Sequence, residues 1–143
     1  MCLRSRQRPP ADLVALARDR GRDVADLSYQ EYCAAHLATL CRSAAAALRG
    51  PGGARGAAVD YAGLVDVLTD RIIPDHFGVP VDAAARARID AVARVYSKSK
   101  GDGARAWEED SGRKEAAATP EIRRASAAFL ADAYAELREH ALR

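Results

Sequence analysis

The chain is 143 residues long, enough for one domain and short for two. Hydrophobic residues make up 49% of it, but 33 of those positions are alanine and aromatics are only 6%, so the core has to be thin. Alanine favours helix because it loses no side-chain entropy on ordering, and the β-branched residues that favour strands are few, which excludes an all-β fold.

Lys plus Arg number 22 and Asp plus Glu 20, a net charge of +2. That field is too weak for a dedicated nucleic-acid binder or a membrane-surface protein, so neither nucleic acid nor a membrane is expected as a partner. The excess is local: residues 1–22 carry Arg4, Arg6, Arg8, Arg18, Arg20 and Arg22 against Asp12 and Asp19. Two readings of this arm stay open, a solvated chain end and an anion contact. No apolar run approaches the roughly 20 residues of a membrane span, and no apolar stretch follows the arginines as in a signal peptide, so a cytoplasmic protein is expected. Cys2, Cys33 and Cys41 are odd in number and share no finger-like spacing, so reduced thiols are expected.

Pro9-Pro10 stops a helix from entering from the left, and Leu13, Leu16 and Ala17 then share one side of a short helix over 11–19. Ser28 with Glu31 forms a capping box, after which Cys33, Leu37, Leu40, Cys41, Ala44 and Leu48 recur at helical spacing up to Gly50. Gly50-Pro51-Gly52-Gly53 reads as a loop and residues 56–61 as the single strand. Leu64, Val65, Leu68 and Ile72 are helical in period until Pro74, which removes an amide donor and predicts an end or kink near Ile73. Asp82 predicts the cap of a helix to about Tyr96 with Ala85, Ile89, Val92 and Tyr96 inward. Residues 97–115 are polar and aperiodic, yet hold Trp107, the one tryptophan; they read as a loop. Thr119-Pro120 opens a last helix whose stripe of Ile122, Phe129, Leu130, Ala133, Tyr134 and Leu137 calls for a partner surface.

Catalytic signals are sparse. Cys33, His36 and Cys41 fall on one broad side of the second helix with no fourth ligand nearby, where structural zinc takes four. His76 follows Asp75 in a turn and His140 lies near the chain end, neither with a nucleophile at an interpretable spacing. The sequence contains no G-x-x-x-x-G-K-[ST], no G-x-G-x-x-G and no G-x-S-x-G.

The order of elements carries more. The Gly-flanked segment Ala57-Ala58-Val59-Asp60-Tyr61 runs into the helix Leu64 to Ile73, then the turn His76-Phe77-Gly78-Val79-Pro80, then a further helix. This resembles the late part of sulfotransferases that use 3′-phosphoadenosine 5′-phosphosulfate (PAPS), where a strand ending in Tyr-Glu-Asp-Leu precedes a helix and a Phe-Leu-Gly-type turn. Here the corresponding run is Tyr61-Ala62-Gly63-Leu64, with the two acidic positions replaced. Tyr96 to Trp107 is similar to the basic, glycine-containing loop by which such enzymes close over the cofactor's 3′-phosphate. The resemblance implies a cofactor-binding set of Ser97, Lys98, Ser99, Lys100, Gly101, Arg105 and Trp107, with Arg4 and Ser5 as the tail of an element that holds the same phosphate. Cationic tips and small neighbours converging on a dianion make strong charge-assisted bonds, although Glu108, Glu109 and Asp110 follow directly and oppose an anion.

The resemblance spans about residues 28–137. In that family the phosphosulfate-cradling loop with its lysine and the histidine base precede the region matched, and this chain shows neither. What it implies is the C-terminal half of a sulfotransferase-like fold, not catalytic alone; the whole enzyme moves a sulfuryl group in line to an acceptor hydroxyl or amine. The expected fold is mainly α, five or so helices with one short strand, resembling the C-terminal part of a three-layer α/β P-loop fold. Residues 1–27 are the basic arm with its short helix, and residues 28–143 the mostly helical region. The alternative is a non-enzymatic helical interaction module that binds a partner, or itself, through exposed apolar helix faces.

Overall fold

A computed structural model describes residues 2–53, 56–93 and 110–142. The chain is mainly helical. In order come α1 (Ala11–Asp19), α2 (Tyr29–Arg49), β1 (Ala58–Val59), α3 (Leu64–Val67), α4 (Ala83–Ala93), α5 (Ser111–Ala116), α6 (Pro120–Ala125), α7 (Ala131–Glu139) and β2 (Ala141–Leu142). The last helix ends at Glu139, and the two residues Ala141–Leu142 pair with Ala58–Val59 as a parallel two-stranded ribbon. The expected lone strand thus has a partner, from a segment that reads as helix by its apolar period.

The fold divides into two compact units, residues 1–58 with 118–141, and residues 59–117 with 142–143. The first holds the hydrophobic core. Leu13, Leu16 and Ala17 of α1 pack with Leu27, with Tyr32, Ala34, Ala35 and Ala38 of α2, and with Ala125, Phe129 and Ala133 of the C-terminal helix. That helix is continuous from Pro120 to Glu139 because a π-helical stretch, Ser126–Leu130, joins α6 to α7. Thr119 caps it, accepting from the Ile122 amide, with Pro120 in the first turn where a missing N–H costs nothing. The partner surface its stripe calls for is α2 of the same chain.

Local signals place α2 closely. Gly21, at φ 68°, ends α1 with paired bonds from the Gly21 amide to Arg18 and from the Arg22 amide to Ala17, a turn that only glycine adopts at little cost. The chain then delivers the Arg22 guanidinium to Glu31, 2.9 Å away. Glu31 at the same time accepts from the Ser28 amide while its own amide donates to the Ser28 hydroxyl, closing the capping box.

In the second unit, Pro74 does not stop the helix. From Leu68 to His76 the turns widen to π-helical pitch, which relieves the clash between the proline ring and the preceding turn, and the Phe77 amide reaches the Ile72 carbonyl. Gly78, at φ 65°, closes it. Asp82 caps α4 by accepting from the Ala85 amide at 2.6 Å. Arg86 of α4 pairs with both Asp66 and Asp70, fixing α4 on α3 and its extension. Val92, expected inward, is exposed. Residues 111–116, expected as loop, are helical, with Asp110 holding Lys114 at 2.8 Å and Arg113 at 3.6 Å across the first turn. Among the described residues of this unit only Thr69 is buried; Tyr61, Phe77 and Val79 face solvent.

Candidate functional site

An apolar groove of about 390 Å³ lies between α2 and the C-terminal helix in the first unit. The two helices run in the same direction, since Tyr29 and Ile122 near their starts line this groove and Arg49 and Glu136 near their ends form an ion pair. Ala34 is buried at its floor, Cys33, Leu37 and Tyr29 form one wall, and Ile122, Ser126 and Leu130 form the other. Among the described residues its polar lining groups are Gln30, Ser126 and the Tyr29 phenol.

The groove exists because α2 is apolar on two sides. Its core side is nearly all small: Ala34, Ala35, Ala38 and Ala45, with Tyr32 the one large residue. Alanines let the backbones approach, and the larger residues at helical spacing, Leu37 and Leu40, are left outside at 48% and 55% exposure. On the C-terminal helix, Phe129 and Ala133 are buried while Ile122 and Tyr134 stay about half exposed.

The rim at the Tyr29 end is built by the N-terminal arm. Ser5 shares a hydrogen bond of 2.9 Å with the Tyr32 phenol. Arg6 donates to the Leu27 carbonyl and lies over the rings of Tyr29 and Tyr32, 5.0 and 5.5 Å from their centres. Arg4, beside them, is exposed. Of the residues implied in 3′-phosphate binding, Ser5 is therefore engaged with α2. Ser97, Lys98, Ser99, Lys100, Gly101, Arg105 and Trp107 lie outside the described residues.

The candidate acid–base and metal residues are not brought together. Asp75 pairs with Arg71 at 2.8 Å, and His76 packs edge-on against Phe77. The Nδ1 atom of His36 is buried without a hydrogen-bond partner. Cys33 is disulfide-bonded, which corrects the expectation of reduced thiols; Cys41 keeps a free thiol, whose pKa burial raises. Among the described residues no three of His, Cys, Asp and Glu cluster as ligands. A smaller, polar cleft of about 250 Å³ lies between α1 and α2, where Arg42, Thr39 and Ser43 face Asp12 and Asp19. No described helix is long and apolar enough to cross a membrane.

The sequence does not reveal the groove, because it depends on which of two apolar faces of α2 turns inward. The signal that could have found it is the alanine run of the inner face, which forces the bulkier face outward. The chain matches no protein-family model, no curated protein and no solved structure.

Proposed function

We propose that the chain is a non-enzymatic helical interaction module whose docking surface is the groove between α2 and the C-terminal helix. The observation that carries this reading is that Tyr29, Leu37 and Ile122, all large, apolar and solvent-exposed, line one apolar concavity. Single exposed leucines are ordinary, whereas a continuous apolar surface marks a contact with another molecule. A groove between two helices takes the apolar stripe of a third. Panning the intact chain against displayed amphipathic helical peptides tests this. Peptides retained by the wild type and released by the Leu37→Glu, Ile122→Glu double variant support the reading; no retention, or equal retention by both proteins, overturns it.

A second reading keeps the likeness to PAPS-dependent sulfotransferases, with residues 97–107 contributing to binding of the cofactor's 3′-phosphate in a cytoplasmic protein. Its support is the order β1, α3 with its extension, the Phe77-Gly78 turn and α4, the order on which the likeness was drawn. Calorimetry with 3′-phosphoadenosine 5′-phosphate tests it: heat that is lost in the Lys98→Ala, Lys100→Ala variant supports it, and no heat at millimolar ligand overturns it.

A further inference from the structure

The wall that the C-terminal helix gives to the groove is irregular. Ser126–Leu130 is π-helical, with the Ala131 amide reaching back to the Ser126 carbonyl, and Ser126 and Leu130 both line the groove. In the stretch Leu68–His76 a proline accounts for such widening, whereas Ser126–Leu130 contains none. Short π-helical turns are rare and concentrate at functional sites.

The groove is also polarised along its length. On α2 the Tyr29 phenol and the Gln30 amide come before Leu37, on the C-terminal helix Ser126 comes before Leu130, and the two helices run in the same direction. Hydrogen-bonding groups therefore lie toward one end and hydrocarbon toward the other. Among the described residues, no hydrogen bond engages the half-buried Ser126 hydroxyl or the Gln30 amide. Among them, too, none that lines the groove carries a formal charge. Arg6, at the rim, is held by the Leu27 carbonyl and two tyrosine rings, and Glu31 is held by Arg22.

We propose that the groove is a binding site for a small neutral amphiphile, a hydrocarbon chain that ends in a hydroxyl. The hydroxyl sits between the two walls, donating to the Gln30 side-chain carbonyl and accepting from the Ser126 hydroxyl, and the chain runs toward Leu37 and Leu130. Both hydrogen-bonding capacities of an alcohol are then used. A volume of about 390 Å³ suits a small molecule, whose sites are mostly apolar with a few placed polar groups and occur between packed helices. A charged head is disfavoured, because it would leave water for a lining that offers no counter-charge. This goes beyond helix docking and shares only its groove, so the amphiphile and a docked helix exclude each other.

Calorimetry of the intact chain with n-octanol, octanoate and octylammonium tests the site. n-Octanol should bind, and each charged head should bind about tenfold more weakly or worse. Ser126→Ala and Gln30→Leu should each weaken n-octanol about threefold to tenfold, the worth of one hydrogen bond. Leu37→Glu should abolish binding, and because Leu37 is 48% exposed, circular dichroism should report an unchanged fold. No heat with n-octanol, heat that survives Leu37→Glu, equal affinity for the three heads, or indifference to both polar substitutions overturns the inference. Release of a retained helical peptide by n-octanol supports the shared groove, and a peptide that stays bound at saturating n-octanol overturns it. If peptides are retained through Leu37 and Ile122 but n-octanol does not bind, the ligand site falls while the interaction reading stands. If n-octanol binds as expected and no peptide is retained, the ligand site stands and helix docking falls.

Discussion

The Ser5 hydroxyl and the Tyr32 phenol lie 2.9 Å apart and share a hydrogen bond, although 27 residues separate them. Tyr32 has no exposed surface, so this bond satisfies a phenol that burial would otherwise leave unpaired. Part of the arm, from Ser5 to Arg6, is thus fastened to α2 by a hydrogen bond and by a guanidinium over two rings.

Removing the Ser5 partner should therefore destabilise the fold. Ser5→Ala strands the phenol and is expected to cost about 1–3 kcal/mol, while Tyr32→Phe, which deletes the polar atom and keeps the ring, is expected to cost about 0.5–1.5 kcal/mol. Urea unfolding followed by circular dichroism measures both. Equal costs, or no cost for Ser5→Ala, would show that the arm does not depend on this bond.

The capping box gives a pH dependence with a definite sign. The Ser28 amide, the largest influence, holds the Glu31 carboxyl below its ordinary value of 4.5; burial, next in size, opposes it, and the Arg22 guanidinium and the Ser28 hydroxyl add to the lowering. A carboxyl whose folded value is lowered contributes stability that is complete above the unfolded value and fades as pH falls through the lowered one. Wild type should lose stability through that acid window, and Glu31→Gln should be less stable at neutral pH with a flatter acid limb. Ser28→Ala should cost about 1 kcal/mol at neutral pH. Denaturant midpoints read across the carboxylate range check all three.

Much of the local structure is legible from the sequence, because Ser28, Thr119-Pro120 and Asp82 act through bonds to their immediate neighbours. Packing is not. On α2 the helical spacing of Leu37, Leu40 and Leu48 is as regular as that of Ala35, Ala38 and Ala45, and only the close approach of the C-terminal helix decides for the alanines. The groove follows from that choice and is equally hidden. Ala38→Leu should therefore overpack the Phe129 cluster at a cost of about 1–3 kcal/mol. Ala46→Leu, about two turns of helix farther on and exposed, should stay within about 0.5 kcal/mol of wild type. Thermal melts of the two variants decide it, and equal effects would mean that the inner face is assigned wrongly.

The cysteines distinguish themselves by environment. Cys33 is disulfide-bonded and has no thiol to offer an alkylating agent, while Cys41 is half-buried with its thiol kept protonated past the usual cysteine range by burial alone. Alkylation proceeds through the thiolate, so Cys41 should label slowly near neutral pH and faster as the pH rises. Cys33 should remain unlabelled at every pH until a reductant is added. Peptide mass mapping after timed iodoacetamide exposure gives both rates. If Cys33 labels without reductant, the disulfide does not form in solution. In that case the wall of the groove carries a second thiol, placed between Tyr29 and Leu37, where a docked helical peptide would slow its alkylation.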